Sequence, residues 1–229
     1  MCTPHNSHTH SLTASPEKTS PSLRQMMEKL AASLARRRPF ALSRPRCAAI
    51  LLPLIGTCDS ELSLLLTRRS EQLSSHRGQV AFPGGRSDDG DDGPAGTALR
   101  EAHEEIGLDA HDVTILGQLD DLPSFTNDTA VTPIVARVAP HISIPDLTRS
   151  KSEVSRIFSV PLSALADGEL WETVDSEWRG RKVKQYYFRE YDGERLWGLS
   201  AYATLMLMAL LPESTAPMPP TFSLEGKKE

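Results

Sequence analysis

The chain has 229 residues, with 25 Lys or Arg against 30 Asp or Glu and a formal charge of −5. That length suits one well-cored domain with flexible ends, and the negative balance lacks the positive field on which non-specific nucleic-acid binding depends. Cys2, Cys47 and Cys58 are odd in number and lack C-x-x-C spacing, which disfavours a disulfide framework and a structural zinc site, and no apolar run approaches the roughly 18 to 20 residues of a membrane span.

Residues 1 to 20 hold Pro, Ser, Thr and His with almost nothing apolar, and are expected to form a disordered tail. The first fifty residues contain only Glu17 and Glu28 as acids, a composition that also suits a mitochondrial presequence. Against that, Leu23, Met26, Met27, Leu30 and Leu34 make the stripe of an amphipathic helix packed on a domain. The expected compartment is the cytoplasm, with the mitochondrion as the alternative. Residues 47 to 55 and 61 to 67 are predicted strands joined by a Gly-containing turn, and 78 to 82 a third. A Gly- and Asp-rich loop over 84 to 93 leads into a helix marked by Pro94 in its first turn and by Gly107 at its end. Strands follow over 113 to 119 and 129 to 138, a short helix over 162 to 166, a strand over 182 to 191 and a closing helix over 199 to 211. The pattern predicts one α/β or α+β domain over 21 to 211, a mixed sheet flanked by helices. The Pro-rich, charged stretch 212 to 229 is a second expected tail.

The helix after the loop carries the chemistry. At 100° per residue, Ala95, Ala98, Leu99, Ala102 and Ile106 share an apolar face, and Glu101, Glu104 and Glu105 fall on an adjoining one. Glu101 and Glu105 stand four residues apart, a like-charge pair that is unfavourable without a cation. Mg²⁺ or Mn²⁺, hard ions that take oxygen ligands, would resolve that conflict. A solvated acidic face on a surface helix is the bland alternative. Ser70, Ser200 and Cys47 lack the context of a protein nucleophile.

The neighbours of the glutamates narrow the choice. Phe82-Pro83-Gly84-Gly85, then Arg100-Glu101-Ala102-His103-Glu104-Glu105-Ile106-Gly107-Leu108, resemble the Nudix box, G-x5-E-x7-R-E-U-x-E-E-x-G-U, where U is a bulky aliphatic residue. Counting from Gly85 lands on Asp91 where the box has Glu, with one residue more than usual before Arg100, and Ala102 replaces a bulkier aliphatic. Asp88, Asp89, Asp91 and Asp92 are for the most part expected to be solvated turn residues. The longer loop and the Leu65-Leu66-Thr67-Arg68-Arg69-Ser70 segment upstream, followed by Gly78 and the Phe82 run, are similar to the coenzyme A-cleaving branch of the Nudix superfamily. Ser74 stands where that branch has Arg. Val131-Thr132-Pro133, the stretch from Glu153 to Leu162, and Trp197 to Ala201 also look like that branch, so the resemblance covers about residues 22 to 211.

The resemblance implies a Nudix fold and a divalent-metal-dependent pyrophosphohydrolase. Its substrate would be coenzyme A or an acyl-CoA, cut to 3′,5′-ADP and 4′-phosphopantetheine or its acyl form. It assigns Mg²⁺ or Mn²⁺ to Glu101, Glu105 and Glu104 with the Gly85 carbonyl. Glu104 or Glu153 would remove the proton from water, and sequence does not choose between them. Arg100 would hold the carboxylates in place. Gly84 lets the backbone approach closely, and Arg68, Arg69 and Arg77 are candidate phosphate contacts in place of the missing Arg, or else exposed strand-end charges. Glu153 has a plain surface role as its alternative. His103 receives no role, since the motif leaves its position free. Another Nudix specificity, for ADP-ribose or a dinucleotide, would share the metal site. A catalytically silent binding module would normally have lost one of the three glutamates. The expected partner is a small nucleotide, with neither nucleic acid nor membrane.

Overall fold

The structure is a computed structural model that describes residues 23–56, 62–124, 128–178, 181–211 and 213–219. Cys2, Cys58, Glu61 and the proposed tail over 1 to 20 lie outside them. Helix α1 (Leu23–Arg36) is followed by strands β1 (Arg46–Ile55), β2 (Ser63–Arg69), β3 (Val80–Ala81) and β4 (Gly84–Arg86), then helix α2 (Gly93–Ile106). Strands β5 (Val113–Gln118), β6 (Leu122–Ser124), β7 (Thr129–Val138) and β8 (Val154–Pro161) precede the short α3 (Leu162–Ala166). A hairpin-connected trio, β9 (Trp171–Trp178), β10 (Arg181–Tyr191) and β11 (Glu194–Trp197), leads into α4 (Gly198–Met208).

The main sheet runs β3-β2-β1-β7-β5, with β4 on β1, β6 on β7 and β8 on β2; β9, β10 and β11 form a second, smaller sheet. It is mixed: β1 and β7 pair in parallel from Arg46 with Thr129 to Leu54 with Arg137, and β1–β2, β2–β8 and β5–β7 are antiparallel. The centre is covered on both faces, so β1 and β7 read as nearly continuous apolar runs. Alternation assigns their side chains to two cores. Leu52, Leu54, Leu64 and Leu66 meet α1, α3 and α4 on one face, while Ala49, Leu51 and Leu65 meet Ala98, Ala102 and Ile106 of α2 on the other. This is the sandwich of a mixed sheet between helices that the pattern predicted.

The amphipathic stripe near the start packs on the core: Leu30 and Leu34 are buried and Met26 and Met27 lie against them. Helix α1 sits so close over β5 that a Cβ on Gly117 would come 2.7 Å from the Leu34 Cβ. The chain after α1 is pinned by two adjacent carboxylates, with Phe40 N donating to Asp120 and Leu42 N to the buried Asp121, which also accepts from Thr132 Oγ1. No helix among the described residues is long and apolar enough to cross a membrane.

Several boundaries differ from expectation. The strand placed at 78 to 82 shrinks to Val80–Ala81, because Gly78 turns in the left-handed region at φ 62°. The closing helix ends at Met208, where Leu210 N and Leu211 N bond back to carbonyls three residues earlier and tighten the last turn. Strands β4, β6, β8, β9 and β11 were not anticipated. In β9 most described positions after Trp171 are exposed, so it offers no alternation to detect. Beyond the expected boundary at 212, Thr215 N donates to Ala166 O at 2.9 Å and Ala216 packs on the larger core.

Candidate active site

Helix α2 begins and ends as its sequence signals. Gly93, at φ 64°, turns the chain into it, Pro94 occupies its first turn, and Gly107 caps it in the left-handed conformation with its N–H bonded to His103 O. Its buried residues are Thr97, Ala98, Ala102, Glu105 and Ile106. Ala95 and Leu99 are only half-buried, so the apolar face is narrower than predicted, and Glu105 extends it with a carboxylate that is 3% exposed.

Glu105 is held by two groups from other elements. Gly84 N donates to its Oε2 at 3.3 Å, and Arg69 Nη1, at the end of β2, stands 3.6 Å from its Oε1. Burial outweighs both and pushes the Glu105 carboxyl up from 4.5 to about 7, with the charges of Glu101 and Glu153 adding to the rise. Glu101 is raised for the same first reason, burial, opposed by Arg100 and reinforced by Glu104 and Glu153. Glu101, Glu104, Glu105 and Glu153 thus form one repelling carboxylate cluster.

Glu153 reaches that cluster through the end of α2. The last carbonyls of a helix have no partner within it, and here the loop before β8 supplies donors: Thr148 N to Ile106 O at 3.0 Å and Ser150 N to Glu105 O at 2.8 Å. Ser70 N closes the arrangement on Glu153 O at 2.7 Å. In β8 the register slips against β2, with Arg68 opposite Arg156 and Arg69 opposite Val154. The intervening Ser155 donates its hydroxyl to the Arg68 carbonyl, 3.1 Å away. Such a bulge re-aims the residues beside it.

Arg100 is fully engaged by the chain itself. It grips Asp91 with Nε at 2.8 Å and Nη2 at 3.1 Å, donates from Nη2 to the Arg86 carbonyl at 2.9 Å, and reaches Glu101 at 2.9 Å and Glu104 at 3.3 Å from Nη1. The reading of Asp91 as a solvated turn residue is corrected here: its carboxylate is 7% exposed and also accepts from Thr97 Oγ1 and Asp88 N at 2.8 Å. Arg100 holds it well below the usual carboxylate range. The inserted residue is absorbed by the turn between Asp88 and Gly93, where Asp91 N bonds Asp88 O, so Asp91 arrives beside Arg100 although the residue count is one too long.

The glycines before α2 allow the approach. Gly84 has φ 154°, and a Cβ there would lie 2.3 Å from the Ala49 carbonyl oxygen; one on Gly85 would lie 2.5 Å from the Glu101 carboxyl carbon. The three arginines named from the sequence separate. Arg69 faces Glu105, whereas Arg68, one residue earlier and so on the other face of the strand, lies 3.3 Å from Glu71 and 3.7 Å from the buried Glu194. Arg77 is exposed and donates to the Leu73 carbonyl. His103 points away from the glutamates, with Nδ1 3.0 Å from Asp109. Sequence reasoning missed Thr97 and Ser70. Thr97 follows Asp91 by six residues and could have been paired with it across the helix start; Ser70 acts through its backbone and leaves no side-chain signal.

A family model described as the NUDIX domain matches residues 46–178. The chain belongs to the Nudix family and is a hydrolase of the pyrophosphatase class. Among its relatives is a protein of Photorhabdus laumondii described as an uncharacterized Nudix hydrolase NudL. It is 44% identical over 156 residues, 68% of this chain and 80% of the relative. The NudL of Yersinia enterocolitica is 40% identical over 154 residues, 67% of this chain and 75% of that one. A solved Nudix hydrolase from M. smegmatis, RenU, is 22% identical with a TM-score of 0.43, covering 55% of this chain and 76% of its own.

A pH effect on stability follows from Glu105. Its folded-state value near 7 lies above the ordinary 4.5, so between those values the folded chain binds a proton that the unfolded chain has released. Metal-free stability therefore falls as pH rises through that window, by an amount on the order of 3 kcal/mol at most. Urea titrations in chelator at pH 5 and pH 8 should show that loss, and Glu105→Gln should flatten it. An equal slope in the variant would assign the effect elsewhere.

Proposed function

We propose that this chain hydrolyses the pyrophosphate linkage of coenzyme A or an acyl-CoA, giving 3′,5′-ADP and 4′-phosphopantetheine or its acyl form, with Mg²⁺ or Mn²⁺. The observation that carries the hydrolytic reading is the buried Glu105, one of four mutually repelling carboxylates, with a single guanidinium 3.6 Å away as counter-charge. An all-oxygen set of this kind suits a hard divalent ion. Glu101, Glu105 and Glu104 would hold it, with the Gly85 carbonyl. The ion supplies positive charge against the pyrophosphate and makes water more acidic.

The remaining steps belong to the chain. Glu153, half-buried and in the field of both Glu101 and Glu105, takes the proton from the attacking water; Glu104, 54% exposed and tied to Arg100, is the weaker candidate. Water oxygen bonds to phosphorus, the bridging P–O bond breaks, and its electron pair leaves with the departing phosphate. Arg100, saturated by Asp91 and the carboxylates, positions them and is unavailable to substrate. Arg69 Nε is buried with no acceptor among the described residues, a cost that a pyrophosphate oxygen would relieve. Arg77, on the exposed loop after β2, is the guanidinium left for the 3′-phosphate. Arg68, held by Glu194 and Glu71, drops out of that set.

The choice of coenzyme A rests on the resemblance of residues 65 to 85 and on the arginines Arg69 and Arg77 within them. The test is kcat/KM for coenzyme A, dephospho-coenzyme A and ADP-ribose, with Arg77→Ala beside the parent. Coenzyme A is expected to lead, and loss of one charged contact at Arg77 to cost about 10- to 150-fold on coenzyme A alone. Equal rates on coenzyme A and its dephospho form would remove the 3′-phosphate argument. Faster cleavage of ADP-ribose would assign another Nudix specificity.

A further inference from the structure

Three of the four described histidines converge at one place outside the proposed catalytic cluster. His103 comes from α2, two residues after Glu101 and hence about 200° around the helix from it. His111 lies on the single 3-10 turn Ala110–Asp112 that follows the helix. His141 lies just past β7. Two aspartates join them into an alternating chain: His103 Nδ1 to Asp109 at 3.0 Å, His111 Nε2 to Asp109 at 4.0 Å and to Asp112 at 3.8 Å, and His141 Nε2 to Asp112 at 3.2 Å. Among the described residues, Asp109, His111 and Asp112 are the group whose candidate ligand atoms all lie within 4.8 Å of one another.

We propose that Asp109, His111 and Asp112, flanked by His103 and His141, form a second divalent-ion site for Zn²⁺ or an ion of its class. Donor atoms around a tetrahedral ion at bond lengths of about 2.1 Å stand roughly 3.4 Å apart. The observed 3.8 and 4.0 Å separations close to that by a small rotamer shift of the exposed His111 side chain, which belongs to both pairs. The backbone beneath is fixed: Asp112 N bonds Asp109 O at 3.0 Å, and Ala139 N bonds Asp112 O at 2.7 Å, which ties the His141 loop to the turn. The site follows the C-terminal end of α2, where the helix dipole favours positive charge. Imidazole with carboxylate suits Zn²⁺ better than Mg²⁺, whereas the glutamate cluster is all oxygen. The two sites thus differ in the ion they prefer, and the outer one does not depend on which nucleotide is cut.

The test is Zn²⁺ binding by calorimetry to the full chain in saturating Mg²⁺. His5, His8 and His10 in the amino-terminal segment offer rival ligands, so every variant is also made in a background with those three replaced by Ala. The expected result is one Zn²⁺ per chain that survives that background and Glu105→Gln. His111→Ala and Asp112→Asn should each weaken it more than tenfold, and His141→Ala about 10-fold as an outer-shell partner. The His111 and His141 side chains are largely exposed and that of Asp112 is 17% exposed, and unchanged melting of the variants without Zn²⁺ keeps the comparison clean. Zn²⁺ binding that disappears with His5, His8 and His10, disappears with Glu105→Gln, or persists unchanged in His111→Ala and Asp112→Asn would overturn the proposal.

Discussion

Glu105→Gln and Glu101→Gln are expected to lower kcat by about 100- to 1,000-fold at saturating Mg²⁺, since charge stabilisation worth several kcal/mol in the transition state is lost with a ligand. Gln preserves the volume of Glu105 in a site that is 3% exposed, and it keeps an acceptor for Gly84 N. The fold therefore survives, and in chelator at pH 8 the variant should melt no lower than the parent because a buried charge has been removed. Glu153→Gln belongs in the same series and should reduce kcat with KM nearly unchanged, the signature of a group acting in the transition state. Near-full activity of both Glu101→Gln and Glu105→Gln at limiting Mg²⁺ would show that the metal lies elsewhere.

The adjacent glycines should fail in opposite ways. In Gly84→Ala the new methyl meets backbone, 2.3 Å from Ala49 O and 2.7 Å from Ile50 Cα, at φ 154°. Neither neighbour can yield without breaking the pairing of β4 on β1, in which Ala49 faces Gly85 and Ile50 faces Gly84. A stability loss of about 2 to 4 kcal/mol follows. In Gly85→Ala the nearest atoms to the methyl are the side-chain end of Glu101, at 2.5 Å from the carboxyl carbon. The side chain swings aside at little cost to the fold, and activity falls by about 100-fold because a displacement of one ångström at a reacting centre has that effect. Urea midpoints and kcat measured on both variants separate the two. Equal stability losses would show that Gly85 serves the sheet rather than the glutamate.

What the sequence made legible was what period and punctuation encode. Pro94 and Gly107 bracketed α2 because each answers a local backbone requirement, and the like-charge repulsion of Glu101 and Glu105 is written in their i, i+4 spacing. The burial of Glu105 was invisible, since it depends on β2 and β4 closing over the helix. Asp91 was misread for a related reason. Its function comes from a turn that folds one extra residue out of the way, which linear counting treats as a displacement. The three arginines looked equivalent in one dimension, and the alternation of a strand divided Arg68 from Arg69. Strand β9 was missed because a two-faced exposed ribbon has no apolar rhythm.

The parallel pairing of β1 with β7 has a consequence for how the enzyme is made. Arg137 donates to the Leu54 carbonyl at a sequence separation of 83, and the chain between them contains α2 and most of the carboxylates. A contact of this sequence separation has to overcome a large loop-closure entropy before any native energy is returned, and parallel pairs of high contact order form late. The α2 helix can flicker into existence early on its own caps, yet Glu105 meets its dry pocket only once β2 and β4, which bring Arg69 and Gly84, have closed over it. Glutamate burial thereby reports that these strands have packed on the helix. A chain stalled before that closure keeps its carboxylates hydrated, and the Glu105 carboxyl stays near its ordinary value because burial is the first cause of its rise.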